Sequence, residues 1–112
     1  MPYISVTLAG KLDDPAKEKL ARAIGEKITL LPGKNEAGLM IHVDDGRPLF
    51  FAGAATENGA FVDVRLFGES ILEAKEAFTL AMKELLYEIC GVEGMYLNYI
   101  ELKNWGTEKG LR

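Results

Sequence analysis

The residue of greatest chemical interest in this sequence is the proline at position 2. An initiator methionine is normally trimmed when the next residue is small, and trimming of Met1 leaves Pro2 with a free secondary amine. An α-amino group titrates near pH ~8, far below a lysine amine, so modest burial brings it into the range of a general base. The alternative is that Pro2 only stiffens the start of the chain.

The sequence contains few other side chains that could take part in a reaction. His42 is the lone histidine, and we expect it to be held in a strand by polar neighbours rather than to act as an acid. No second His or Cys stands at metal-ligand spacing, so the sequence predicts no metal site. The single cysteine, Cys90, cannot form an internal disulfide and is expected to be half-buried and inert. Arg65 is expected to pair with Asp63 or with an interface partner.

Length and composition narrow the class of protein. The 112 residues predict one domain, 1–112, and 48% hydrophobic with 27% charged residues is typical of a globular protein. A net charge of -4 argues against a nucleic-acid partner. No apolar run is long enough to span a bilayer, which predicts no membrane partner. No secretory signal is visible, so a cytoplasmic location is expected, with leaderless export left open.

The first half of the chain predicts a strand followed by a helix and a second strand. Residues 2–8 alternate between apolar and polar types, as in a half-buried strand. Asp14 is predicted to cap the helix and Pro15 to occupy its first position. Pro32-Gly33 is predicted to stop the helix, and residues 39–43 to form the next strand.

The second half repeats this order after a short insert. Residues 49–51 predict a short edge strand, residues 52–60 a loop with a tight turn at Asn58-Gly59, and residues 61–67 a third main strand. Ser70 and Glu73 predict a capping box that opens a helix, and Gly91 is its expected stop. Residues 95–102 predict the last strand.

The repeated β-α-β unit predicts an α/β (α+β) fold with a four-stranded mixed sheet. The strands that flank each helix are expected to be parallel, with right-handed crossovers. Two helices cover only one face of such a sheet. The other face combines polar and apolar side chains, which favours packing against other subunits around a wet centre. This face is predicted to carry Tyr3, Ser5, Thr7, His42, Asp63, Arg65, Phe67, Tyr96, Asn98 and Ile100.

Several segments together resemble the tautomerase superfamily, most closely its macrophage migration inhibitory factor branch, over essentially the whole chain. The resemblance rests on their order and spacing: Met1-Pro2, Pro32-Gly33-Lys34, His42, Phe67-Gly68, Met95-Tyr96-Leu97-Asn98-Tyr99 and Asn104-Trp105-Gly106. It implies a homotrimer of β-α-β-β-α-β subunits with three active sites at subunit interfaces.

The resemblance also implies roles for individual residues. Pro2 corresponds to the catalytic base, Lys34 to the group that binds the substrate carboxylate, and the backbone amide of Phe67 to an assisting donor. Residues matching Tyr96 and Asn98 reach the site from a neighbouring subunit. Trp105 falls in the tail region that helps to line the site.

The chemistry of these residues agrees with proton transfer. An apolar pocket disfavours the ammonium form of Pro2, and Lys34 acts in the same direction as a like charge. A shift of the amine pKa from about 8 to about 6 raises its neutral fraction at pH 7 from roughly a tenth to roughly nine tenths. The expected function is therefore a cofactor-independent keto–enol tautomerase of small 2-oxo acids such as phenylpyruvate.

Two alternatives remain open from the sequence. The first is an interaction protein with a vestigial pocket, like the cytokine-like member of the family, and the second is a decarboxylase or hydratase on the same scaffold. The insert 52–60 lacks the Cys-x-x-Cys of the best-known family member, so thiol–disulfide activity is not expected.

Overall fold

The computed structural model describes the whole chain from Met1 to Arg112. Its helices and strands, in chain order, are β1 (Pro2–Leu8), α1 (Asp14–Lys27), β2 (Met40–Asp44), β3 (Leu49–Phe51), β4 (Ala54–Thr56), β5 (Gly59–Phe67), α2 (Leu72–Cys90), β6 (Gly94–Leu102), β7 (Gly106–Thr107) and β8 (Gly110–Leu111).

The main sheet has the strand order β2-β1-β5-β6. The two pairs joined through a helix, β1 with β2 and β5 with β6, are parallel, whereas β1 and β5 are antiparallel. The duplicated β-α-β order and the mixed sheet predicted from the sequence are therefore confirmed. The antiparallel central pair brings the start of β1 beside the end of β5.

The core lies between the sheet and the two helices. Alternate residues of β1 and β5 point into it, including Ile4, Val6, Val62 and Val64, and Phe78 of α2 is its largest fully buried side chain. No polar or charged side chain is buried there, so the core is stabilised by removal of apolar surface from water. Neither helix is long and apolar enough to cross a membrane.

Helix α1 begins one residue earlier than the sequence indicates. The cap residue is Asp13, whose Oδ1 accepts a hydrogen bond from Ala16 N at 2.9 Å, so the prediction of Asp14 as the cap was wrong. Asp13 has extended backbone angles, which leave its carboxylate free to reach the first-turn amides. Between α1 and Pro32-Gly33 the chain makes one 3-10 turn, Ile28–Leu30.

Helix α2 starts without the predicted capping box. Its cap residue is Ile71, which has no side-chain hydrogen bond, and Ser70 N donates instead to Glu101 Oε2 at 2.5 Å. The carboxylate thus comes from β6 rather than from Glu73, and it places negative charge at the positive end of the helix. The predicted stop at Gly91 is confirmed, since this residue adopts the left-handed conformation with φ 69°.

The insert forms a hairpin, where the sequence indicated mostly loop. Strand β3 pairs antiparallel with β4, which the sequence analysis did not predict. The connecting residues Ala52 and Gly53 have φ values of 53° and 81°. Two consecutive positive φ angles are typical of the tight turns that match the twist of a hairpin. The tight turn therefore lies at Ala52-Gly53, and the predicted turn residue Gly59 begins β5 instead.

The sheet face away from the helices carries a polar row at right angles to the strands. In register, His42 of β2 lies beside Ser5 of β1, Ser5 beside Asp63 of β5, and Asp63 beside Asn98 of β6. Ser5 Oγ and His42 Nδ1 are 3.5 Å apart, while Asp63 Oδ1 and Asn98 Oδ1 are buried without a hydrogen-bond partner. Large apolar side chains flank the row: Tyr96, which was predicted on this face, is 63% exposed, and Met40, which was not, is 67% exposed.

Candidate functional site

Pro2 is buried at the start of β1, opposite Leu66 near the end of β5. An open cleft of about 890 Å³ lies beside it. Its walls come from the start of β1, the segment that leads into β2, the C-terminal part of β5, and the end of β6 with the chain after it. They include Pro2, Tyr3, Met40, Arg65, Leu102 and Trp105.

Lys34 reaches this end of the sheet through the turn that follows α1. Gly33 has φ 79°, and Lys34 N donates to Leu31 O at 3.0 Å, which closes the turn. The Lys34 side chain is half-buried, and its Nζ donates to Phe67 O at 2.8 Å. The predicted carboxylate-binding residue is therefore anchored to the end of β5, next to the start of β1.

Met1 occupies the space in front of Pro2 in this structure. Its carbonyl oxygen accepts a hydrogen bond from Phe67 N at 3.3 Å, so the amide predicted to assist a substrate is engaged by the chain itself. Burial lowers the pKa of the Met1 amino group below its usual value, and the nearby ammonium of Lys34 and guanidinium of Arg112 lower this pKa further. An amine at this end of β1 is thus shifted toward its neutral form.

Trp105 forms an aromatic wall of the same region. Its ring lies 6.4 Å from the ring of Phe67, centroid to centroid, with a tilt of 37°. The backbone of Trp105 pairs with that of Arg112 through two hydrogen bonds of 3.2 and 2.9 Å, at the base of the β7–β8 hairpin. This hairpin, which the sequence analysis did not predict, fixes the tryptophan at the cleft.

Tyr96 and Asn98 lie at a different part of the sheet. Tyr96 is opposite Phe61, five positions along β5 from Leu66, the partner of Pro2, which corresponds to about 16 Å along the strand. The ring of Tyr96 instead lies 5.7 Å from that of Phe51, in an apolar groove of about 200 Å³. One chain therefore brings Pro2 and Trp105 together but not Tyr96 or Asn98.

Arg65 also lines the Pro2 cleft, a position that the sequence analysis did not assign to it. Its Nη2 is 3.3 Å from Asp63 Oδ2, so the predicted ion pair is present. The guanidinium also lies 5.7 Å from the centre of the Tyr3 ring. Tyr3 was not predicted to belong to the site. Its place beside Arg65 follows from the β1–β5 register, which the sequence alone does not reveal.

His42 lies in strand β2 and Cys90 at the end of α2, and both placements were predicted from the sequence. His42 is exposed and its one polar neighbour is Ser5. Burial raises the pKa of the Cys90 thiol, which makes its nucleophilic thiolate scarce at neutral pH. No group of three or more His, Cys, Asp or Glu side chains is arranged to hold a metal ion.

Comparison with known proteins shows likeness in structure rather than in sequence. No model of a known protein family matches the chain, and no curated protein matches it in sequence. Among solved structures, MIF2 of Leishmania major is 25% identical, with a TM-score of 0.90 over 100% of this chain and 97% of that one.

Two further solved structures share the fold at lower identity. The protein Pt0534, crystallised after inactivation by 2-oxo-3-pentynoate, is 16% identical, with a TM-score of 0.85 over 96% of this chain and 93% of that one. The wild-type asymmetric trimer of R7 fused 4-OT is 15% identical, with a TM-score of 0.79 over 95% and 92% of the two chains. The resemblance predicted from the sequence is thus confirmed over the whole chain, whose fold is that of the tautomerase superfamily and its macrophage migration inhibitory factor-like members.

Proposed function

We propose that this protein is a cofactor-independent keto–enol tautomerase of small 2-oxo acids such as phenylpyruvate. Pro2, after removal of Met1, is the general acid and base, and Lys34 binds the substrate carboxylate. The observation that carries the proposal is the arrangement at the start of β1, where Pro2 is buried and Lys34 Nζ lies 2.8 Å from Phe67 O.

Removal of Met1 changes three groups at once. The nitrogen of Pro2 ceases to be an amide and becomes a secondary amine with a lone pair. The Phe67 amide, which donates to Met1 O in the structure, becomes available to a substrate oxygen. Lys34 loses its like-charged neighbour, the Met1 amino group, and is free to pair with a carboxylate.

The proposed reaction uses these groups in sequence. The neutral amine of Pro2 removes a proton from the carbon next to the keto group, and the resulting ammonium returns a proton to oxygen; ketonisation is the reverse. Lys34 and the Phe67 amide stabilise the negative charge that develops on the enolate. The paired rings of Phe67 and Trp105 offer an apolar wall to an aryl substituent.

The substrate class is supported by the chemistry of the cleft and by one relative. The Lys34 ammonium lies near Pro2, the proposed base, so the cleft suits a substrate whose carboxylate is adjacent to its keto group. Pt0534 is inactivated by 2-oxo-3-pentynoate, which is itself a 2-oxo acid. The same class of compound is proposed here as substrate.

We further propose that the working molecule is a homotrimer in which a neighbouring subunit contributes Tyr96 and Asn98 to each cleft. The mixed polar and apolar sheet face and the distance of Tyr96 from Pro2 support this assembly. Fused 4-OT, which shares the fold, forms an asymmetric trimer.

A role as an interaction protein is the second candidate. It is favoured by the position of Met1, which blocks the Phe67 amide and leaves Pro2 without a basic nitrogen for as long as Met1 is retained. A third possibility, decarboxylation or hydration in the same cleft, differs from tautomerisation in its products.

The test is an ultraviolet assay of phenylpyruvate ketonisation with protein whose intact mass shows that Met1 is absent. Replacement of Pro2 by alanine is expected to reduce kcat/KM by about 10²–10⁴-fold, the usual contribution of a positioned general base. The control is Pro48→Ala, at an exposed proline before β3, which is expected to leave turnover unchanged. Full activity in the Pro2→Ala protein refutes the mechanism. Loss of carbon dioxide or uptake of water favours the third possibility, and no turnover by Met1-free protein favours the interaction protein.

A further inference from the structure

The Asn58-Gly59 pair is a chemically reactive sequence that the fold does not use as a hairpin turn. The side-chain carbonyl carbon of an asparagine can be attacked by the backbone nitrogen of the next residue, which closes a succinimide ring. Glycine as the next residue allows the closest approach, because it has no Cβ and its backbone is the least restricted. The other asparagines of the chain are followed by Glu, Tyr or Trp, whose side chains hinder ring closure: Asn35, Asn98 and Asn104.

Packing against Thr56 favours glycine at position 59. Gly59 is buried at the start of β5, and a Cβ atom there would lie 2.8 Å from Cγ2 of Thr56. The β-branched side chain of Thr56 has little rotamer freedom with which to move away from such a contact. Asn58, in contrast, is exposed to solvent. The residue that supplies the attacking nitrogen is therefore kept as glycine, next to an asparagine that water and hydroxide can reach.

The hydroxyl of Thr56 contacts the group that would be attacked. It donates a hydrogen bond to Asn58 Oδ1 at 3.1 Å, and Asn58 N donates to the same hydroxyl oxygen at 3.3 Å, which keeps it beside the side chain. Attack on the carbonyl carbon places negative charge on Oδ1. A donor that already lies at this oxygen stabilises the charge, as the donors of an oxyanion hole do.

We propose that Asn58 is a site of spontaneous deamidation in the folded protein. The backbone nitrogen of Gly59 loses its proton and forms a bond with Asn58 Cγ. The bond between Cγ and Nδ2 breaks, and Nδ2 takes up a proton and leaves as ammonia. Water then opens the succinimide at either of its carbonyl carbons. The product is aspartate, or isoaspartate, in which the side-chain methylene has become part of the main chain.

Deamidation removes a contact between two segments of the chain. Asn58 Nδ2 donates to Glu93 Oε2 at 2.9 Å, and the backbone amides of Glu93 and Gly94 donate to Asn58 O at 3.0 and 3.4 Å. A carboxylate at position 58 cannot donate to Glu93 and repels it. Isoaspartate also lengthens the main chain and displaces the carbonyl oxygen from both amides. The modification is therefore expected to loosen the start of the β5–β6 pairing, beside the apolar groove that contains Tyr96.

The experiment follows the folded protein during incubation in mildly alkaline buffer prepared in water enriched with heavy oxygen. Peptide mapping by mass spectrometry is expected to find the label at residue 58 several-fold sooner than at Asn35 or Asn104, which are also exposed. Labelling by a protein isoaspartyl methyltransferase identifies the isoaspartate. Thr56→Val, which keeps the branched shape, is expected to slow deamidation several-fold. The matched control Thr29→Val, at an exposed threonine of the 3-10 turn, is expected to keep the wild-type rate.

Deamidation at Asn58 that is no faster than at Asn35 or Asn104 overturns the proposal, and an unchanged rate in Thr56→Val overturns the role of the hydroxyl. Thermal melts of Asn58→Asp test the consequence for the fold. This protein is expected to melt at a lower temperature than the wild type. The difference is expected to shrink in a Glu93→Gln background, where the side chain at position 93 can donate to a carboxylate, and an equal difference in both backgrounds contradicts the like-charge contact. These measurements do not depend on turnover, so they stand apart from the proposed tautomerase function.

Discussion

Retention of Met1 is expected to abolish turnover, because this residue both acylates the catalytic nitrogen and occupies its surroundings. The Met1 carbonyl lies 3.3 Å from Phe67 N, and the Met1 amino group is close to Lys34. A fully Met1-bearing preparation is therefore expected to lose the contribution of the general base, about 10²–10⁴-fold in kcat/KM. In mixed preparations, activity should be proportional to the fraction of molecules that lack Met1.

The trimmed protein should show the pH dependence of a shifted amine. Burial and the Lys34 ammonium lower the pKa of the amino group at this end of β1, and we expect the same causes to act on Pro2 after trimming. Because the neutral form is the base, activity should be lost as pH falls through this lowered pKa. The loss is therefore expected at a lower pH than for an unburied α-amino group, which titrates near pH ~8.

The assay needs one protein in two forms. Expression in cells depleted of methionine aminopeptidase gives the Met1-bearing form, and treatment with the purified aminopeptidase converts it. Intact mass gives the trimmed fraction, and phenylpyruvate ketonisation gives the rate for the same sample. Equal kcat/KM before and after complete trimming would show that the Pro2 nitrogen takes no part in the reaction.

Three further substitutions test the site and the fold. Lys34→Ala should raise KM by about 10- to 150-fold with a smaller change in kcat, since a hydrogen bond to a charged group is worth about 1.5–3 kcal/mol. Steady-state kinetics checks this prediction, with Lys34→Arg as the control that keeps the charge. The Lys75 ammonium, at 2.9 Å, and then the Ser70 amide hold the pKa of Glu101 below its usual value. The contribution of the Glu101 carboxylate to wild-type stability is therefore present above its unfolded-state pKa of about 4.3. This contribution is lost as pH falls through the lower pKa of the folded state. The Glu101→Gln protein should have a lower melting temperature than the wild type at pH 7. Its melting temperature should also fall less between pH 7 and pH 3. Equal melting temperatures at pH 7 contradict the prediction. Phe78→Ala should lower the free energy of unfolding by about 3–5 kcal/mol in denaturant titrations, because it empties the largest fully buried position.

The architecture was predictable from periodicity, but several local details were not. Alternation and helical spacing identified both β-α-β units, because burial of one face leaves a regular pattern in the sequence. Strand β4 was missed because Ala54–Thr56 is short and its turn uses Ala52, which does not favour positive φ. The capping box at Ser70 failed because Glu101, distant in sequence, lies close to the start of α2 in the fold.

The candidate site could be predicted only in part for a related reason. Lys34 and Phe67 come together at the end of β5, which the antiparallel pairing of β1 with β5 places beside the start of β1. The sequence analysis did not predict this pairing and grouped the two residues only through the family resemblance. Arg65 lies in the cleft because of its register position on β5 and the orientation of its side chain there. The spacing of residues in the sequence does not predict that orientation. Tyr96 and Asn98 lie away from Pro2 in a single chain, so their proposed role depends on contacts that a second chain would make.

The polar row across the exposed sheet face has a consequence for how copies of this chain recognise one another. His42, Ser5, Asp63 and Asn98 divide the face into two apolar halves; Asp63 Oδ1 and Asn98 Oδ1 are already covered within the chain, whereas the imidazole of His42 is exposed. A partner that slides or rotates out of alignment places hydrocarbon over this imidazole, at a cost of about 1–3 kcal/mol for each polar group left without a hydrogen bond. Association in one orientation is thus favoured, and non-specific aggregation through the apolar halves is disfavoured.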